Sequence, residues 1–285
     1  MKDLAYYNGK IAPVEEMTVP FNDRVHFFGD GIYDVTYTRN YKPFALSEHL
    51  DRLFGCAKKL DIKMPHTKDE LTNILMDLFP RLDTGDQFVY LQVTRGTQDR
   101  NHTYPEDQVG NLWVMLRPGG LKDIRMEVKA ITAEDTRFFH CDIKTLNLLP
   151  AVMYSQMAER AGVYETILYR TPDRVTECAH ANVHIINERG AFQTAPLDNL
   201  ILPGIARAHL IKACKALGYP VEETPFTVDE LMNAREVIIS SSSALGLRCV
   251  EIDGKPVGKK AEEMLRSIQN WVFDEFLRET NEGSL

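Results

Sequence analysis

Lys144 stands in Cys141-Asp142-Ile143-Lys144-Thr145-Leu146-Asn147-Leu148-Leu149, a run that otherwise reads as buried strand entering a helix. A lysine there has two uses. Its stem can lie on apolar surface while the ammonium snorkels to water. Alternatively, the amine can be desolvated, give up its proton more easily and join a carbonyl as a Schiff base. One lysine does not choose between them. Further along, Val175-Thr176-Glu177-Cys178-Ala179-His180-Ala181-Asn182-Val183 sets a carboxylate and an amide among small residues. Alone this is a polar turn with a solvated Glu177. Beside a Schiff-base lysine, the carboxylate could keep a pyridine nitrogen protonated and the ring an electron sink. Leu202-Pro203-Gly204-Ile205-Ala206-Arg207 opens a helix whose first amides and dipole suit a phosphate. Ser241 and Ser242 add hydroxyls after a strand, and Arg52 adds a cation on an amphipathic helix. Each of these features is commonplace by itself.

The elements that must hold them follow from periodicity. Residues 32–38, rich in β-branched and aromatic side chains, predict a strand, Asn40-Tyr41-Lys42 a turn and residues 43–46 the return strand. Ser47 is the expected N-cap of a helix with Leu50, Leu53, Phe54, Ala57 and Leu60 at helical spacing. The capping box Thr67-Lys68-Asp69-Glu70 opens a second helix with the stripe Leu71, Ile74, Leu75, Leu78. Residues 88–93 and 112–116 read as strands. Arg117-Pro118-Gly119-Gly120-Leu121-Lys122-Asp123 is the best boundary, giving domains 1–118 and 124–285 with 119–123 as linker. Beyond it, strands are expected at 126–131, 165–169, 183–186 and 236–239. Helices are expected at 150–161, ended by Gly162, and at 203–217, with Pro203 in the first turn and Gly218 as the stop. Thr227-Val228-Asp229-Glu230 repeats the capping box, and 259–279 carries Ala261, Leu265, Ile268, Val272 and Phe276 on one face. The expectation is an α+β (mixed α/β) chain in two lobes.

Composition narrows the function. The chain has 285 residues, 33 Lys+Arg against 41 Asp+Glu for a net −8, and 44% hydrophobic residues, so a large core is available and a disordered acidic tail is excluded. The acidic balance argues against nucleic acid as partner, though not against a local anion site. No apolar run of membrane-spanning length occurs, and MKDLAYYNGKIAP lacks a signal-peptide core, so a cytoplasmic protein is expected. Cys56, Cys141, Cys178, Cys214 and Cys249 are scattered, without CxxC spacing, and read as buried free thiols with no metal site. The P-loop is missing, Gly29-Asp30-Gly31 lacks the setting of a dinucleotide loop, and HExxH, GxSxG and SxxK are absent.

Taken in order, the segments resemble the fold-type IV pyridoxal-phosphate enzymes, the D-amino-acid and branched-chain aminotransferase superfamily. They are Phe28-Gly29-Asp30-Gly31-Ile32-Tyr33-Asp34, His49-Leu50-Asp51-Arg52-Leu53, Asp142-Ile143-Lys144-Thr145-Leu146-Asn147, Thr176-Glu177 with Asn182, Leu202-Pro203-Gly204-Ile205 and the serines at 240–243. Val93-Thr94-Arg95-Gly96-Thr97-Gln98-Asp99-Arg100-Asn101-His102 is similar to the D-amino-acid branch. The resemblance implies a smaller N-terminal α/β lobe and a larger C-terminal lobe with a β-barrel-like core. It implies pyridoxal 5'-phosphate as cofactor, held as a Schiff base on Lys144, which also shuttles the proton. Glu177 would pair with the pyridine nitrogen, and Leu202 would pack on the ring. Arg52, the Ile205 and Ala206 amides, Ser241 and Ser242 would bind the phosphate. Tyr33, Arg100 and His102 would hold the substrate carboxylate. The implied reaction is ping-pong transfer of an amino group from a D-amino acid such as D-alanine to a 2-oxo acid such as 2-oxoglutarate, in a homodimer with shared active sites. Alternatives are an aminodeoxychorismate-lyase-like elimination, branched-chain L-amino-acid or (R)-amine transamination, and a non-catalytic cofactor-binding protein. Cys178-Ala179-His180-Ala181 replaces a usual serine run, leaving His180 to take over a contact, and Ala206 stands where threonine is common. Ala244-Leu245-Gly246-Leu247-Arg248 departs from the usual polar continuation, and Arg248 there would favour acidic substrates.

Overall fold

The computed structural model of the chain describes residues 1–281. These divide into two compact units. One comprises residues 1–120, the short segment 143–147 and the C-terminal residues from Phe276; the other comprises 121–142 and 148–275. Among the described residues, no helix is long and apolar enough to cross a membrane.

The first unit is built from β1 (Leu4–Tyr7), β2 (Lys10–Ala12), α1 (Arg24–Phe28), β3 (Gly31–Arg39), β4 (Lys42–Pro43), α2 (Leu46–Lys59), α3 (Lys68–Leu78), β5 (Gln87–Thr94) and β6 (Asn111–Pro118). Its sheet runs β2-β1-β6-β5-β3-β4, every neighbouring pair antiparallel. Alternate strand residues (Leu4, Ile32, Val89, Leu91, Val93, Leu112, Val114, Leu116) bury one face against Leu50, Leu53 and Ala57 of α2 and Leu71, Leu75 and Leu78 of α3. The expected capping box at Thr67 and Glu70 is formed. The return strand is shorter than the expected 43–46. Asn40 and Tyr41 turn at positive φ, but Ala45 at φ 51 swings the chain out of the ladder after Pro43. Ala45, not Ser47, is therefore the N-cap of α2, and its amide donates to the Glu279 carboxylate at 3.0 Å.

Because β4 pairs only with Thr38 and Arg39, the start of β3 has an unpaired edge on that side. Residues 143–147 cover it. The Tyr33 amide donates to the Lys144 carbonyl and the Leu146 amide to the Gly31 carbonyl, each at 3.0 Å, around a single bridge between Ile32 and Thr145. The lysine's run does lead into a helix, at Leu149, but ahead of it there is no buried strand of the kind its apolar residues suggest. It is an irregular strap whose hydrogen bonds belong to β3.

The second unit holds β7 (Glu127–Glu134), α4 (Leu149–Ala161), β8 (Glu165–Thr171), β9 (Arg174–Cys178), β10 (Asn182–Ile186), β11 (Phe192–Thr194), α5 (Ile205–Ala216), β12 (Val221–Glu223), α6 (Val228–Asn233), β13 (Glu236–Ser240), β14 (Leu247–Ile252), β15 (Lys255–Pro256) and most of α7 (Glu262–Thr280). Its mixed sheet runs β12-β11-β10-β13-β14-β7-β8-β9, with β15 on β14. The far strand β9 also meets β10, where the Cys178 amide donates to the Ala181 carbonyl at 2.7 Å. The sheet therefore curls into a half-barrel around Ile167, Val183, Ile185, Val237, Ile239 and Leu247. Gly162 ends α4 at φ 68, and Thr227 with Glu230 forms the second capping box. Helix α5 begins at Ile205 with Gly204 as N-cap, so Pro203 precedes the cap and does not sit in the first turn. All five cysteines are buried and free.

Candidate active site

In the first unit, the strap brings Lys144 to Tyr33 of β3. The lysine Nζ lies 4.3 Å from the centre of the Tyr33 ring, which stacks on Tyr90 at 5.7 Å. The Lys144 amide donates to the Cys56 sulfur of α2 at 3.3 Å. One turn before Cys56, Arg52 donates from Nε and Nη2 to the two oxygens of Asp34 at 2.9 and 2.7 Å. His49 Nδ1 reaches the same carboxylate at 2.7 Å. Asp34 is completely buried, yet Arg52 and His49 outweigh the burial penalty and hold its carboxyl well below the usual carboxylate range. Burial pushes the His49 pKa down. Arg52 is accordingly no bare cation: Asp34 compensates its charge and fixes the orientation of its guanidinium. The sequence places Asp34 and His49 inside the matching segments, but nothing local says that they form one buried group.

Arg100 and His102 lie together in the exposed loop between β5 and β6, packed around Phe28. The Arg100 guanidinium is 5.4 Å and the His102 ring 5.2 Å from the centre of the Phe28 ring.

In the second unit, Glu177 is the last residue but one of β9 and is buried rather than solvated. One carboxylate oxygen accepts from Arg137 at 2.6 Å; the other accepts from Asn182 at 2.9 Å and the Leu202 amide at 3.0 Å. Burial raises the Glu177 pKa to about 7, against the opposing pull of Arg137. Arg137 is also gripped by Asp135, whose two oxygens take its Nε and Nη2 at 3.0 and 2.9 Å. Asp135 and Glu177 together hold the guanidinium firmly protonated although it is buried. Sequence reasoning missed Arg137 and Asp135; an Asp-x-Arg pair shortly before the lysine is the only local trace of them. Asn182 joins three further parts. It also donates to the Leu202 carbonyl at 3.1 Å, its register partner across β10 and β13 is Ser240, and Gly204 packs so close that a Cβ there would sit 2.0 Å from its side-chain oxygen. The start of α5 at Ile205 and Ala206, which no side chain caps, and the turn carrying Ser241 and Ser242 are so brought to Glu177's end of the half-barrel.

Two residues serve other ends than expected. Arg248 is buried, with Nε and Nη2 on the two oxygens of Glu236 at 3.0 Å and further contacts to Glu127 and Glu262, so its charge is spent within the fold and it does not select acidic substrates. His180 is exposed and its ring pairs with the buried carboxylate of Glu165, which also accepts the His180 amide at 3.1 Å.

The sequence model of the class IV amino-transferase family matches residues 31–252. A D-alanine aminotransferase of Listeria monocytogenes (serotype 1/2a, strain 10403S) is 38% identical over 281 residues, covering 96% of each chain. One from Bacillus licheniformis is 36% identical over 277 residues, covering 96% of this chain and 97% of its own. The fold is shared with a branched-chain amino acid aminotransferase from Escherichia coli, at TM-score 0.86 and 22% identity over 99% of this chain and 97% of that one. It is shared also with the branched-chain aminotransferase of Thermoproteus uzoniensis, at TM-score 0.87 and 22% identity over 98% and 96%. The chain belongs to the class IV aminotransferase family.

Proposed function

We propose that this aminotransferase moves the amino group of D-alanine, and of related D-amino acids, to a 2-oxo acid such as 2-oxoglutarate, with pyridoxal 5'-phosphate as cofactor. The near end-to-end match to D-alanine aminotransferases, in a chain that has Lys144 and Glu177, carries this reading. The residues fit the group. A lysine amine suits its carbonyl, and a buried acid with a raised pKa suits its ring nitrogen. The uncapped α5 start, whose Gly204 admits no side chain beside Asn182, suits its phosphate.

When bound, the cofactor supplies an electron sink for the carbanion left at the substrate Cα. The chain's residues do the rest. Lys144 Nζ would hold the cofactor through its carbonyl and, when free, would move the proton at the substrate Cα. Glu177, held by Arg137, Asn182 and the Leu202 amide, would accept a hydrogen bond from the protonated pyridine nitrogen. The Ile205 and Ala206 amides, the Ser241 and Ser242 hydroxyls and Arg52, oriented by Asp34 and His49, would bind the phosphate, and Leu202 would pack on the ring. Tyr33, Arg100 and His102 grip the substrate carboxylate through a phenol, a guanidinium fork and an imidazole. The working unit in this reading is a homodimer with shared sites.

Two measurements test it. The purified protein with pyridoxal phosphate should show a visible absorbance band that is absent in Lys144→Ala. D-Alanine with 2-oxoglutarate should yield pyruvate while L-leucine stays inert; turnover of L-leucine without D-alanine would overturn the assignment.

A further inference from the structure

Arg24 opens α1 and is buried, with 3% of its surface exposed. Its Nε donates to Asp30 at 2.7 Å. The rest of the guanidinium turns to the loop between β5 and β6. Nη1 donates to the carbonyls of Asn101 at 2.5 Å and Thr103 at 3.3 Å, and Nη2 to the carbonyl of His102 at 3.3 Å. Three consecutive carbonyls of an exposed loop thus converge on one buried cation. The guanidinium carbon also lies 4.9 Å from the centre of the Phe28 ring, the ring that Arg100 and His102 pack around.

Arg24 is itself firmly anchored. Asp23, fully buried, caps α1 through the Val25 amide at 3.0 Å and ties it to Thr94 and Asn111, at the facing ends of β5 and β6, at 2.9 and 2.8 Å. The Arg24 amide donates to the Gly96 carbonyl at 3.0 Å. Asp30 is shared with Arg95, whose Nε lies 3.0 Å from both of its oxygens and whose guanidinium stacks 3.8 Å from the centre of the Tyr104 ring. Two buried arginines on one carboxylate form a rigid floor beneath a solvent-exposed loop. Loop main chain of this kind is ordinarily mobile, and a displacement of about 1 Å in a substrate-holding group costs roughly 100-fold in rate.

We infer that Arg24 is the positioning residue of the substrate-carboxylate loop, clamping the main chain at Asn101–Thr103 so that Arg100 and His102 are held ready for substrate. The inference rests on the proposed carboxylate role of Arg100 and His102. Arg24 touches neither substrate nor cofactor in this account.

Arg24→Gln and Arg24→Lys in the pyridoxal-phosphate-loaded enzyme test it. Asp30 keeps Arg95 in both, so neither leaves a buried carboxylate without a cation. The expected result is KM for D-alanine and for 2-oxoglutarate raised about tenfold in Arg24→Gln, with the visible absorbance band and thermal midpoint nearly unchanged. Lys, a single point charge that cannot reach three carbonyls, should rescue only partly. In an Arg100→Ala, His102→Ala background the added effect of Arg24→Gln on KM should fall below about twofold, since coupled residues are not additive. Full additivity there, or loss of the visible band in parallel with KM in both Arg24 variants, would assign Arg24 a general structural role and overturn the inference. If Arg100→Ala raises KM and neither Arg24 variant does, the loop reading stands and the clamp is wrong. If Arg100→Ala and His102→Ala leave KM unchanged, the loop reading itself fails and the inference with it.

Discussion

Glu177 binds its proton more tightly in the folded chain than a free carboxylate does, because burial outweighs the attraction of Arg137 and raises its pKa from 4.5 to about 7. A raised acid pKa stabilises the fold fully below the unfolded value and loses that contribution as pH climbs through the folded one. The penalty for keeping Glu177 ionised, accumulated between pH 4.5 and about 7, is on the order of 3 kcal/mol. Asp34 has the opposite sign, its pKa being depressed, and acts only at more acid pH. Thermal midpoints of cofactor-free wild type and Glu177→Gln, compared from pH 5 to 8, should therefore diverge in favour of Gln by on the order of 5 °C. A difference that stays constant across that range would mean that Glu177 does not titrate there. With cofactor bound the order should reverse, since Gln offers no charge to the pyridine nitrogen.

At the scale of elements, Gly31 shows how little room the lysine strap leaves. A Cβ at this position would lie 2.7 Å from both the Val93 carbonyl oxygen and the Leu146 side chain. The Leu146 end can shift, but the carbonyl is fixed in the β3–β5 ladder, where Gly31 pairs with Thr94 beside it. Gly31→Ala should cost about 1–3 kcal/mol in stability, the usual range for overpacking, and weaken the visible absorbance of Lys144 with cofactor. Denaturant melts unchanged within error would show that the strap can give way. The sequence made some elements plain and left others hidden for one physical reason. The capping boxes at Thr67 and Thr227 and the α4 stop at Gly162 were legible because their partners lie within a few residues. The strap was misread because its apolar residues face one core while its hydrogen bonds come from β3, more than a hundred residues earlier. Lys144 and Glu177 could be singled out as candidates by resemblance. The Arg137 contact with Glu177 and the Glu236 contact with Arg248 could not, since each joins strands or loops by register that no local pattern encodes.

For the molecule as a whole, the question is what the proposed dimer does for catalysis. Leu149, Val152, Met153 and Met157 recur at helical spacing on α4 and are 72, 60, 62 and 42% exposed, an apolar stripe of the kind that marks a protein contact. A second copy of the chain is the partner the proposed function needs. Light scattering should give twice the 32.5 kDa chain mass, and Val152→Glu with Met153→Glu should shift it towards the single chain, because an unpaired charge is costly in an apolar contact. Sharing of sites can be read separately, by mixing Lys144→Ala, which lacks the amine, with Arg100→Ala, assayed at a D-alanine concentration well below its raised KM. A dimer of one Lys144→Ala chain and one Arg100→Ala chain has two defective sites if each Arg100 serves its own chain. If Arg100 reaches the partner's site, both defects fall on one site and the other is wholly intact. Equal mixing after dissociation makes half the dimers mixed, with half of their sites intact, so about a quarter of wild-type activity should return. Return of activity near that level requires the carboxylate loop to act across the dimer. Mixtures no more active than the average of their parents, with mixed dimers verified by mass, would confine each Arg100 to its own chain.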